Sequence, residues 1–251
     1  MTTEPQLRSQ TPAQTQPPTP TRVRTPTAPL GTVGTVVGAE VKRLQSGYLR
    51  DRPDAVAALA RLRRGAGKDA AGIADLWGLI DLQTLYTDMT LRQEEAENAV
   101  YAAMALWALH QQSRSTGMHR PGGDELGTAV RRLMPPGEIL EPIRKRFVRA
   151  GAAPTLAALA VKLREITTLL RVEEISLDYA LLADQLYRWQ LRGGPDEVRR
   201  SWGRSFHAHR PKTAADPAAT ADPAAAADPT ADSDPDPVAR TTPETDPKDT
   251  P

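Results

Sequence analysis

Cysteine is absent from the chain, which excludes disulfide scaffolds, thiolate zinc sites, iron–sulfur clusters and cysteine nucleophiles. Histidine is nearly as scarce, at four residues, and aromatic side chains make up only 4% of the sequence. No apolar run approaches the roughly 18 residues of a membrane-spanning helix, and the N-terminus has no apolar stretch of the kind that marks a secretory signal. Three arginines without an amphipathic pattern in residues 1–35 make a poor organelle transit peptide, so a cytoplasmic location is expected. Catalytic signatures are missing as well: there is no GxxxxGKS or GxxxxGKT, no GxSxG and no HExxH. Gly31, Gly34 and Gly38 have the wrong spacing for a phosphate loop and follow no strand. No glutamate is followed by a histidine three residues on, as a di-iron bundle would require.

Proline, by contrast, is abundant, and its distribution divides the chain. Of 23 prolines, seven precede residue 36, nine follow residue 210 and seven fall between. Apolar residues are sparse in both flanks, which predicts a disordered Pro/Thr-rich arm over 1–35 and a disordered acidic Ala/Asp/Pro tail over 211–251. The formal net charge of +1 conceals +2 in the arm, +5 in residues 36–210 and −6 in the tail. A basic core suggests a polyanionic partner. The tail admits two readings: a solubilising segment without contacts, or one that folds back on the basic core and lowers non-specific binding.

Between the flanks the apolar periodicity is helical almost throughout. It predicts an all-α fold of about nine helices in two small packed bundles, an N-terminal helical subdomain over 36–113 and a C-terminal one over 114–210. Val37, Val41, Leu44 and Tyr48 make a first stripe, and Val56, Leu59 and Leu62 a second after Pro53. Ile73, Leu76, Trp77, Ile80 and Leu85 predict a third helix. Thr90 with Gln93 has the form of a capping box, opening the longest helix, in which Ala96, Val100, Ala103, Trp107 and His110 share one side. After a loop near residue 118, shorter helices follow around Leu126–Leu133, Ile143–Arg149 and Thr155–Arg171. Another is capped by Ser176, and a last begins at Pro195 and carries Val198, Trp202 and Phe206.

Little in this pattern offers catalysis. His110 falls on an apolar face and reads as a core histidine, while His207 and His209 sit at the end of the last helix. Glu94, Glu95 and Glu97 open a helix, where the dipole favours acids. No catalytic set, metal site, cofactor or small-molecule substrate is expected, and the chain does not read as an enzyme. What stands out is arginine placement. At about 100° per residue, Ile143 and Phe147 share one side of their helix, with Lys145, Arg146 and Arg149 on the other. In the last helix Arg200 and Arg204 point away from Val198, Trp202 and Phe206, with Arg199 between, and Arg131 and Arg132 lie upstream of both clusters. Two readings stay open, a solvated basic face and a surface for a nucleic-acid backbone. The four tryptophans fall on or near the apolar stripes, so base-stacking platforms are not expected and binding would proceed without sequence preference.

The ordered segments ELGTAVRRL (125–133), IRKRFVRAG (143–151), LAALAVKLREITTLLR (156–171), SLDYALLADQLYRWQ (176–190) and VRRSWGRSFH (198–207) resemble the CasB family. That family supplies the small subunit of the type I-E CRISPR Cascade complex. AGIADLWGLI (71–80) and ALWALHQQ (105–112) extend the resemblance over roughly residues 36–209. It implies an all-helical, non-catalytic protein working as a pair along the belly of a crRNA-guided complex. Its implied partners are crRNA, the displaced strand of target DNA, the large and backbone subunits, and a second copy of itself. Sequence would be read by guide pairing, and the subunit would stabilise the R-loop. Carried over by motif, the implied contacts are Arg146 and Arg149 around the Phe, Arg164 and Arg171 in the Leu-Arg helix, and Arg199, Arg200 and Arg204 in the terminal element. Some relatives have a basic residue where this chain has Thr128, and Arg131 and Arg132 are the candidates to replace it. Asp178 and Trp189 also match family positions, but read as a cap-region acid and a core residue. The rival to this reading is a helical protein-interaction adaptor without nucleic-acid binding.

Overall fold

The computed structural model describes residues 29–69 and 71–209; the arm up to residue 28 and the tail from residue 210 lie outside the described residues. Among these the fold is all-α, with nine α-helices: α1 (Thr32–Tyr48), α2 (Pro53–Leu62), α3 (Gln83–Thr87), α4 (Gln93–Gln111), α5 (Leu126–Arg132), α6 (Glu141–Gly151), α7 (Leu156–Val172), α8 (Tyr179–Trp189) and α9 (Gly194–Ala208). Short 3-10 turns at Arg63–Gly65 and Ala74–Leu76 join α2 to α3.

Helix α4 is the axis of the molecule. Its sequence is dominated by alanine, and side chains all round it are buried, from Ala96 through Tyr101 and Met104 to Trp107 and His110. The expected one-sided stripe is therefore only part of its contact surface, because small alanines let α1, α2, α7 and α8 close around it. A single apolar cluster runs from Val33 of α1 to Phe206 of α9 and includes residues on both sides of the loop near 118.

That loop is pinned from both sides. From α1, Gln45 accepts a hydrogen bond from the His119 amide at 3.0 Å and donates one to the His119 carbonyl at 3.2 Å. From α4, Gln111 accepts from the Met118 amide at 2.9 Å and donates to the Thr116 carbonyl at 2.8 Å. His119 pairs with Leu177 as an isolated β-bridge, and the buried Asp178 carboxylate takes the Gly122 amide at 2.6 Å. Asp178, not Ser176, caps α8, accepting from the Ala180 and Leu181 amides at 3.0 and 3.1 Å.

Helix α1 begins at Thr32, so residues 32–35, expected in the arm, form its first turn. Gly31 has no side chain with which to cap it, and the cap comes from across the fold. Asp184 of α8 accepts from the Gly31 and Gly34 amides at 2.7 and 2.6 Å. Gly34 is required there, since a Cβ would stand 2.5 Å from the Asp184 carboxylate and 2.7 Å from the Ala180 carbonyl. Burial raises the Asp184 pKa above the ordinary carboxylate value, with the two amides and Arg188 opposing it.

Three local expectations are corrected. Residues 71–85 are not one helix: Gly78 adopts φ +73°, the Asp81 carboxylate captures the Gln83 amide, and α3 starts only at Gln83. Trp77 is 64% exposed as a result. The capping box at Thr90 does not form, because Gln93 donates to the Leu85 and Asp88 carbonyls and Thr90 is held by Asp88. In α2 the buried stripe is Ala55, Ala58, Leu59 and Leu62, and Val56 is exposed.

Helix α5 crosses α9 so closely that a Cβ at Gly127 would lie 2.0 Å from the Trp202 carbonyl oxygen and 2.7 Å from the Phe206 nitrogen. Backbone cannot yield as a side chain would, so Gly127→Ala should cost about 3 kcal/mol, read as a fall in Tm of roughly 6 °C or more. An unchanged Tm would contradict this crossing. His110 supplies a second test. It is buried beside the Tyr179 hydroxyl, 3.0 Å from its Nδ1, and burial pulls its pKa down to about 4, assisted by Arg114 and Arg171. Between about 6.5 and 4 the unfolded chain binds a proton that the fold refuses, so stability is intact above 6.5 and falls as pH drops. The loss should approach about 3 kcal/mol by pH 4. Urea midpoints measured across this range should decline, and His110→Gln should flatten the decline; an equal slope in the variant would assign it to other groups.

Candidate nucleic-acid interface

Helix α6 is amphipathic by sequence and lies on the fold accordingly. Ala150 is buried, Ile143 and Phe147 are half-buried against the core, and Lys145 and Arg149 face solvent. Phe147 stacks on Phe206 of α9 with ring centroids 5.5 Å apart and approaches Trp202 at 6.3 Å. Trp202 stacks in turn on Trp189, 5.5 Å away, and donates its indole N–H to Gln185 at 2.7 Å. This aromatic seam sets α6 beside α9, and Gly151 at the end of α6 abuts the Arg199 side chain. Val198, Trp202 and Phe206 are the buried stripe of α9, as its spacing predicts, which leaves Arg200 and Arg204 outside, one turn apart.

The ten cations named from the sequence do not form one set. Lys145, Arg149, Arg200 and Arg204 are exposed on these two adjacent helices, and none has an ion pair among the described residues. Arg146 is half-buried and donates to the Pro142 carbonyl at 3.3 Å. Arg199 is held twice, by Asp196 at 2.5 Å and over the Trp189 ring at 5.5 Å. Arg132 pairs with Asp124. Arg131 is a correction: only 7% exposed, it donates to the Pro135 carbonyl at 3.1 Å and closes the turn after α5. It belongs to the core, because in so short a helix packed between α7 and α9 the Arg131 position is covered along with Ala129 and Val130.

The two cations of α7 stand elsewhere. Arg171 is half-buried and donates to Gln112 at 3.0 Å, beside the Arg114–Glu174 pair. Arg164 is exposed, its stem against the loop at Gly67. Lys68, which follows Gly67 and is not singled out by the sequence alone, is also exposed and lacks an ion pair among the described residues. The run Arg61–Lys68 holds four cations in eight residues, but only the fold brings its Gly67 end against α7.

Three of the four tryptophans are core, at most 3% exposed, and Trp77 alone is open to solvent. The acids at the start of α4 serve local ends: Glu95 pairs with Arg92 at 2.9 Å. Among the described residues there is no cluster of three or more His, Asp or Glu placed to hold a metal ion. No helix among them is long and apolar enough to cross a membrane.

Comparison with known proteins bears directly on this arrangement. The family described as CRISPR-associated protein Cse2 matches residues 58–207. A crystal structure of CasB from Thermobifida fusca is 52% identical, covers 71% of this chain and 99% of its own, and superposes with a TM-score of 0.66. A CRISPR-associated protein of the Cse2 family from Thermus thermophilus is 25% identical over 70% of this chain and 98% of its own, with a TM-score of 0.51. A chain from a structure described as a CRISPR RNA-guided surveillance complex shares the fold, at 23% identity, a TM-score of 0.52, and coverage of 70% of this chain and 96% of its own. No curated protein matches. On the family match and the identity to the Thermobifida protein, over a core whose helices follow the expected order, the chain belongs to the Cse2 (CasB) family of CRISPR-associated proteins.

Proposed function

We propose that the chain is a non-catalytic small subunit of a crRNA-guided type I-E surveillance complex, in which it grips nucleic-acid backbone without sequence preference and stabilises the R-loop and its displaced strand. The observation that carries this reading is the pair of adjacent helices, α6 and α9, with Lys145, Arg149, Arg200 and Arg204 exposed and unpaired among the described residues. Phosphates are met by cations at intervals on a rigid surface. The aromatic seam beneath these helices supplies the rigidity, and burial of Trp189 and Trp202 removes the rings that base stacking would need. In this reading guide pairing reads the sequence and the subunit adds affinity for whatever strand is displaced. The large and backbone subunits and a second copy of the chain are its proposed neighbours. An adaptor that binds protein alone is the second reading, favoured by the exposure of Trp77 and Met89, at 64% and 88%.

Two measurements test this. Purified with its associated molecules from its own cells, the full chain should bring short RNAs sharing a repeat-derived handle, together with a large and a repeating backbone subunit. A clean protein from cells that express a CRISPR array would contradict membership of the complex. Within the assembled complex, changing Lys145, Arg149, Arg200 and Arg204 to Glu should preserve the helical circular dichroism and weaken R-loop formation. If each cation meets one phosphate of a single strand, the log–log salt slope should flatten by about 3 units. R-loop affinity unchanged at low and high salt would exclude this face. Arg131→Met serves as the contrast, lowering stability without altering the salt slope.

A further inference from the structure

Trp77 is held in place rather than merely left outside the core. Leu76 and Ile80, both buried, anchor the turn on either side of it. The Trp77 amide donates to the Ala74 carbonyl at 3.1 Å, and its indole N–H donates to the Ala71 carbonyl, also at 3.1 Å. The only polar group of the ring is thereby satisfied inside the turn, and what the 64% exposed residue offers a partner is π-surface. A Cβ at the following Gly78 would stand in open space, with no atom within 4 Å, so the neighbouring fold does not roof the turn there.

The setting of this ring favours a nucleic-acid strand. Protein interfaces present contiguous apolar patches with few charges at their centre. Between residues 57 and 85, by contrast, Trp77 is the one large apolar side chain exposed among the described residues. Its exposed neighbours in the turn are Gly72, Ala74, Asp75 and Gly78. Residues 61–80 carry four cations, Arg61, Arg63, Arg64 and Lys68, against two acids, Asp69 and Asp75. Two guanidinium groups are fixed close to the ring along the chain. Arg64 pairs with Asp75 at 2.7 Å, two residues before Trp77. Arg43 of α1 donates to the Leu79 carbonyl at 3.5 Å, two residues after Trp77, and pairs with Glu40 at 2.6 Å. Both arginines are more than half exposed, and ion pairs in water hold weakly, so either guanidinium can turn to a phosphate.

We propose that Trp77 is a stacking platform for one base of a single-stranded nucleic acid, with Arg43 and Arg64 meeting the phosphates that flank that base. An indole face accepts any base, because every base has a π-face to lay on it, so the contact adds affinity without reading sequence. A ring whose turn is already fixed gives up little freedom on binding. Bases in a duplex are stacked on one another and gain nothing here, which makes the platform selective for an unpaired strand. The proposal rests on the reading of the chain as a nucleic-acid binder; it does not rest on the α6/α9 face, and Trp77 belongs to neither helix.

The full chain gives a direct readout, since its other three tryptophans are core and stacking quenches only a ring that a base can reach. At about 50 mM salt, oligothymidylate should quench tryptophan emission saturably. A strand of the same length and charge with abasic sites throughout should bind without quenching and about tenfold more weakly. Trp77→Phe should remove the quenching and keep most of the preference for the base-bearing strand. Trp77→Ala should lose that preference while leaving affinity for the abasic strand and the helical circular dichroism unchanged. Changing Arg43 and Arg64 to Gln should weaken both strands alike, and unchanged affinities in that variant overturn the role of the two cations. Quenching that persists in Trp77→Phe, or equal binding of the two strands by the unaltered chain, overturns the stacking and leaves the backbone-binding reading standing. Failure of both strands to bind overturns both. Emission indifferent to strands but altered by purified partner subunits overturns the proposal and assigns the ring to a protein contact.

Discussion

Burial of α4 on all sides is the constraint on which the other helices depend. A helix with polar residues on one face would need to reach solvent, but from Ala96 to Gln111 this one is covered almost continuously. Its alanines shorten the distance at which neighbours can approach, and Trp107 and Met104 fill what remains. The polar groups that this arrangement traps are matched by specific partners. His110 meets Tyr179, Gln111 holds the loop that follows, and the Trp107 indole donates to Gln45 of α1 at 3.4 Å. With α1, α2, α7 and α8 committed to α4, α3 packs on α1 and α4, α6 on α7, and α9 on both α5 and α8.

The candidate interface inherits its geometry from this order of packing. Glu125 accepts from Gln185 of α8 and Ser201 of α9, both at 2.6 Å, and Gly127 admits the α9 backbone, so α5, α8 and α9 are locked in one arrangement. Phe147 then seats α6 on the exposed edge of the aromatic stack. The result is a pair of helices whose inner faces are fixed and whose outer faces carry cations without internal partners among the described residues. Charges held on a rigid support lose less entropy on meeting phosphates than charges on a mobile chain, which is what the proposed phosphate-binding role would call for.

Much of this was legible in the sequence, because amphipathic helices write their buried face at a fixed period. Val198, Trp202 and Phe206 are buried as their spacing indicates, and so are Leu159, Leu163, Ile166 and Leu170 of α7. Apolar spacing misled where a glycine intervenes: Gly78 breaks the stretch around Trp77 that otherwise reads as helix. Caps drawn from distant residues leave no local trace, which is why Asp184 as the cap of α1 could not be read from a window around Gly31. The cations divide along the same line. Solvent exposure of Lys145, Arg149, Arg200 and Arg204 follows from helical projection alone, whereas the burial of Arg131 and the approach of the Gly67 loop to Arg164 depend on how the chain folds back on itself.

The proposed role rests on contact between the outer faces of α6 and α9 and the displaced strand. Photo-cross-linking states it most directly, with reactive nucleotides placed along the displaced strand of an R-loop formed by the assembled complex, followed by mass spectrometry of the labelled peptides. Labels are expected within residues 141–151 and 194–208 wherever on the strand the reactive nucleotide meets the subunit, irrespective of base identity. Labels confined to other surfaces of the chain, or none on this subunit while the large subunit is labelled, would contradict it.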